Sequence, residues 1–129
     1  MKKKLLREGL YADFFSQGVQ VGNVLTMAGQ IAVDDNGNTP DDLKSQMIIC
    51  YENILKILDH FGGTLENIVD ETWFVTDIDE CMENVSEIFA ERERIYGRKP
   101  EVSQTLIGVN ALVQPNLKVE IKCIAHIEK

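Results

Sequence analysis

The chain has 129 residues, 44% apolar and 26% charged, with a formal net charge of −8. That is the length of a single domain, spanning 1–129, which can bury roughly two-thirds of its unfolded surface without a disulfide or metal. The apolar share excludes a disordered chain, and the acidic balance argues against nucleic acid or an anionic membrane as a partner, since both ask for a basic footprint.

Lys2-Lys3-Lys4 reads as a solvated terminus. Leu5-Leu6 is followed at once by Arg7-Glu8, so no apolar core of a signal peptide is present. No apolar run approaches the ~20 residues of a membrane helix. Gly18 to Val33 reads as two strands turning at Gly22-Asn23. The second, Val24 to Val33, is largely apolar and is expected to be buried on both faces. A loop follows over Asp34-Asp35-Asn36-Gly37-Asn38. Thr39 then suits a cap, Pro40 a first helical position, and Asp41-Asp42 the positive end of a helix dipole. Leu43, Met47, Tyr51, Ile54, Leu58 and Phe61 recur every three or four positions and form one stripe, which Gly62-Gly63 ends.

Ile68 to Thr76 is strand-like. Asp77 and Asp79 are candidate caps for a second helix. The stripe of that helix is Met82, Val85, Phe89 and Arg92 to Tyr96, and Gly97 closes it. Val102 to Val109 is a strand, Gln114-Pro115-Asn116 a turn, and Val119 to Ile127 the last strand. There Val119, Ile121, Cys123, Ala125 and Ile127 alternate with Glu120, Lys122, Ile124 and His126. The predicted class is α+β, in the order β-β-α-β-α-β-β. Two helices cover only one face of such a sheet. Ile124 keeps the other face partly apolar, so a second copy of the same sheet is its expected cover.

The three cysteines, Cys50, Cys81 and Cys123, are far apart and form no Cys-x-x-Cys pair. That predicts neither a zinc site nor a disulfide frame, and it suits a reducing cytoplasm. Cys50 and Cys123 lie in apolar runs and read as small core residues. His60 and His126 form no catalytic set with a serine or carboxylate. The spacing predicts no metal ligands, and no glycine-rich phosphate loop is present. Glu120, flanked by Val119 and Ile121, stands out. It lies either on a solvated face, which the alternation by itself favours, or in a cleft. In a cleft its pKa would rise and it could hold or relay a proton.

Several segments together resemble the Rid (reactive intermediate deaminase, or YjgF) family. They are Gln17-Gly18-Val19, Ala28-Gly29-Gln30-Ile31, Gln46, Asn53-Ile54 with Leu58 and Gly62, and Trp73-Phe74-Val75-Thr76-Asp77. In the last third they are Pro100, Gly108-Val109, Leu112, Pro115, Val119-Glu120-Ile121 and Ile124-Ala125. The resemblance implies a chorismate-mutase-like fold and a homotrimer. Its sheets form an inner barrel, with small-molecule clefts between subunits. It also implies hydrolysis of imines and enamines to a keto acid and ammonia, with no metal or cofactor.

In such proteins a glutamate on the last strand positions water, and an arginine on the strand before it clamps the substrate carboxylate. The glutamate matches Glu120. The arginine is replaced by Gln104, a tyrosine by Phe15, and a serine by Ala28. The ligand-binding set expected from the resemblance is therefore Phe15, Ala28, Gln104 and Thr105, with Glu120 catalytic. Losing the arginine fork costs about 2–4 kcal/mol, roughly a hundredfold or more in carboxylate affinity. Arg98, before Pro100, is the residue that could restore the charge. Two alternatives stand beside imine hydrolysis. One is a non-catalytic, metabolite-binding regulatory module. The other is an endoribonuclease, an activity attached to some relatives, against which the acidic charge argues.

Overall fold

The computed structural model describes residues 1–128. Seven strands form one sheet: β1 (Lys4–Leu6), β2 (Gly18–Val21), β3 (Val24–Met27), β4 (Gln30–Ile31), β5 (Ile68–Val75), β6 (Ser103–Gly108) and β7 (Val119–His126). Their order across the sheet is β1-β2-β3-β7-β5-β6, with β4 also paired to β7. Only β5 and β6 run parallel; the other pairs are antiparallel. Three helices, α1 (Leu43–His60), α2 (Ile78–Glu83) and α3 (Val85–Tyr96), complete the α+β fold. No helix among the described residues is long and apolar enough to cross a membrane.

The predicted stripe of α1 is buried in full, from Leu43 through Phe61. Each side chain on it falls on one side of a 3.6-residue helix, and that side lies against the sheet. On β7 the alternation holds: Val119, Ile121, Cys123 and Ala125 are buried, while Glu120, Lys122, Ile124 and His126 are not. Cys50, Cys81 and Cys123 are all free and buried. The other face of the sheet carries no helix. Val21, Val24 and Ile107 stand 37–38% exposed there.

The structure departs from the sequence reading at four points. The N-terminal Lys4–Leu6 segment is a strand paired with Gly18–Gln20, although Leu6 is its only buried residue. The apolar run Val24 to Val33 is not one strand buried on both faces. It alternates over Val24–Met27, breaks at Ala28-Gly29 and resumes at Gln30. The first helix starts at Leu43, where the Asp42 side chain accepts from the Ser45 N–H, rather than at Thr39-Pro40. The second helix is two helices, interrupted at Asn84, whose side chain bonds the Glu80 carbonyl at 2.9 Å. That break rotates the pattern. Cys81 and Ile88 face inward, and Met82 is 51% exposed. Asp77 does cap α2, and Gly97 ends α3 in the left-handed region at φ 76°.

Candidate active site

The site begins with the break between β3 and β4. Thr26 pairs with Ile124 and Gln30 with Ile121. Four residue steps on one side therefore oppose three on β7, a β-bulge of one residue. The bulge carries Ala28 and Gly29. A Cβ built on Gly29 would fall on the Glu120 carboxylate, 2.8 Å from its Cδ. The missing side chain at Gly29 is what lets Glu120 lie across the bulge.

Amide side chains hold this backbone in place. Gln30 Nε2 donates to Gln17 Oε1 and to the Ala28 carbonyl, both at 2.9 Å. Ala28 N donates to the Gln17 carbonyl at 2.9 Å. Asn53, from α1, donates to the carbonyls of Ile31 and Val33 at 3.1 and 3.2 Å, which ties the exit of β4 to the helix. Lys122 Nζ donates to the Met27 carbonyl at 2.8 Å.

These elements enclose a cleft of about 670 Å³. One wall is the segment before β2, where Tyr11 and Phe15 stack with centroids 5.6 Å apart. The bulge forms a second wall, the loop after β4 a third, and Glu120 lies between them. Glu120 is half-buried, and among the described residues no hydrogen-bond donor reaches its carboxylate. Burial raises its pKa above the ordinary glutamate value, with Lys122 opposing the shift.

Of the expected site residues, Phe15, Ala28 and Glu120 line this one cleft. Gln104 and Thr105 do not join them within a single chain. Both lie on β6, one of the two edge strands of the sheet. Thr105 pairs with Thr72 on the helix-free face. Gln104 pairs with Glu71, on the face covered by the helices. Arg98 does not line this cleft within the chain; it pairs with Glu66 at 2.5 Å and Glu101 at 2.7 Å.

The sequence reading missed a second polar centre. Glu71 is fully buried on β5. Its carboxylate accepts from Tyr51 (2.8 Å), Tyr96 (2.7 Å), Arg92 Nε (2.7 Å) and Gln104 Nε2 (3.1 Å), and the second arm of Arg92 also lies 2.7 Å away. Trp73 Nε1 donates to the Tyr51 hydroxyl at 3.3 Å. Burial lifts both tyrosine pKa values well above normal, and the Glu71 charge adds to it. Burial works against the Arg92 charge, but Glu71 outweighs it and the guanidinium pKa is raised. The signal was present in the sequence, because Glu71 shares the period-two phase of Trp73 and Val75.

Comparison with known proteins follows this geometry. The family described as Endoribonuclease L-PSP matches residues 10–127. A RutC family protein of Aquifex aeolicus is 33% identical over 112 residues, covering 86% of each chain. The RutC family protein YjgH of Escherichia coli is 29% identical over 122 residues, covering 94% of this chain and 89% of that protein. The crystal structure of Rv2704 from Mycobacterium tuberculosis, a member of the YjgF/YER057c/UK114 family, superposes with a TM-score of 0.79. It is 26% identical and covers 98% of this chain and 100% of its own.

Proposed function

The chain belongs to the YjgF/Rid family, and on that premise we propose that it assembles as a homotrimer and hydrolyses a small imine or enamine in clefts between subunits. Glu120 holds the attacking water. The observation that carries this reading is Glu120 itself, a half-buried carboxylate with no hydrogen-bond partner among the described residues, facing a cleft large enough for a metabolite.

Glu120 accepts a hydrogen from water as the water oxygen bonds to the imine carbon, and the C=N π electrons pass to nitrogen. Glu120 then returns the proton to that nitrogen. As the carbinolamine collapses, its hydroxyl proton passes to the leaving nitrogen by way of Glu120, the C–N bond breaks, the carbonyl forms and ammonia leaves. An enamine enters the same route after protonation on carbon. The raised pKa makes Glu120 a stronger base than an exposed glutamate. No step calls for a metal or cofactor.

Two features support the trimer. The helix-free face leaves Val21, Val24 and Ile107 in need of a cover. Gln104 and Thr105 lie on the edge strand β6, from which they can reach a neighbouring subunit's cleft. Three reduced, buried cysteines fit a cytoplasmic setting.

The test pairs sedimentation with an ammonia assay. Imines are generated in situ by an amino-acid oxidase and by an amine oxidase. Ammonia release above the spontaneous rate, from a trimer, and lost in Glu120→Gln, is expected. A monomer, or release equal to the protein-free control with both imines, refutes it.

A second reading, a regulatory module that binds a metabolite unchanged, is favoured by one feature: no arginine lines the cleft among the described residues. A bound compound recovered unaltered after long incubation would favour it. The net charge of −8 opposes a ribonuclease, because phosphate neutralisation needs cationic side chains.

A further inference from the structure

We infer that the cleft selects a small organic cation, an amine or protonated imine without a carboxylate, over an anion of the same shape. This deepens the reading above and rests on the cleft being the binding site. The charge lining the cleft is lopsided. Four carboxylates, Glu8, Asp34, Asp35 and Glu120, face one ammonium, Lys56. Lys56 Nζ lies 2.5 Å from Asp35 Oδ1, so the single positive charge is balanced before any ligand arrives. Asp34 is turned to its own loop, accepting from the N–H groups of Asn36 and Asn38 at 2.9 Å. Glu8 is exposed on the segment before β2, which leaves Glu120 as the half-buried carboxylate of the four to which, among the described residues, no donor is directed. The stacked Tyr11 and Phe15 rings line the same cleft and offer it a π surface, which attracts a cation and not an anion.

The orientation of Gln104 agrees with this, on the assembly proposed above in which Gln104 reaches a neighbouring subunit's cleft. Its amide is oriented by Glu71. A buried carboxylate only accepts, so the Gln104 nitrogen must turn inward to it, at 3.1 Å. The carbonyl oxygen is then the atom presented outward. An outward carbonyl receives an N–H donor and repels a carboxylate. Arg92 is turned away from that role, because its Nε and one terminal nitrogen are held by the buried Glu71.

The experiment compares three probes of one shape, benzylamine, benzyl alcohol and benzoate, at neutral pH. Binding is followed by the amide NMR shifts of Ala28 and Gly29 in the full-length protein. Benzylamine is expected to bind about tenfold more tightly than benzoate, with the alcohol between them. Glu120→Gln should reduce the amine's affinity about fivefold and leave the alcohol's unchanged. Asp35→Asn, on an exposed loop, should release Lys56 and narrow the preference. Benzoate binding as tightly as benzylamine overturns the inference while leaving the cleft as a binding site. A preference unaltered in both variants overturns it as well. Absence of shifts with all three probes overturns both this inference and the assignment of the cleft.

Discussion

Replacing Gly29 by alanine separates the site from the fold that carries it. The added Cβ would overlap the Glu120 carboxylate and lie 2.8 Å from Cδ and 3.0 Å from Cγ. The three nearest atoms all belong to Glu120, so the closest overlap falls on one flexible side chain. Gly29 does not have a positive φ, so the backbone accepts alanine. The loss of unfolded-state freedom then stabilises the variant by about 0.4–1 kcal/mol. Pushing Glu120 off its rotamer costs about 0.5–1.5 kcal/mol. The two terms nearly cancel, and the melting temperature should move by no more than about 4 °C. The carboxylate, however, must shift by an ångström or more, and a displacement of that size costs about a hundredfold in rate. Thermal unfolding and the ammonia assay on the same preparation decide the matter. A variant that keeps its hydrolytic rate would refute the claim that the gap at Gly29 positions Glu120. So would a fall of ten degrees or more, which would show the bulge to be structural and not a seat for the carboxylate.

Three further perturbations test the fold and its electrostatics. Glu71→Ala leaves the Arg92 charge, only 11% exposed, without its partner, and should cost about 3–5 kcal/mol in urea unfolding; Glu71→Gln should cost less. Gln46 is fully buried, donates to the carbonyls of Pro40 and Asn116, and accepts from Lys118 N at 2.7 Å. Gln46→Ala leaves those backbone groups unpaired and should cost about 2–4 kcal/mol, read as a lower urea midpoint at unchanged slope. The raised pKa of Glu120 means that the folded protein holds this proton more tightly than the unfolded chain does. The contribution of Glu120 to stability is therefore present below the ordinary glutamate pKa and is lost as pH rises through the folded value. Glu120→Gln should be the more stable protein at neutral pH, with the difference shrinking on acidification. A difference that instead grows toward low pH would contradict the shift.

Local patterns survived intact. The α1 stripe and the β7 alternation depend only on which residues lie three, four or two apart, and both are buried as read. The errors fell where a local pattern met a non-local demand. Val24 to Val33 looks like one apolar strand, but β7 accepts it only with an extra residue looped out at Ala28-Gly29. Lys4 to Leu6 is too short to show a period, and becomes a strand because β2 offers it an edge. The second helix stripe was read as continuous, and the break at Asn84 turned it by part of a turn.

The same division holds for the site. Glu120 was visible as a carboxylate in an apolar strand, and its alternation placed it on the face away from the core. By itself that pattern could not tell a solvated face from a cleft, because a cleft is made by segments distant in sequence: the residues before β2, the bulge and the loop after β4. The sequence by itself determined the class of fold, the core faces of α1 and β7, and the family. Tertiary structure alone decided that Glu71 meets Arg92 from 21 positions away, that the Gln104 amide turns toward that carboxylate, and that Gly29 makes room for Glu120. Periodicity encodes which side of an element faces inward, but partners, register and charge pairing follow only once the elements are packed against one another.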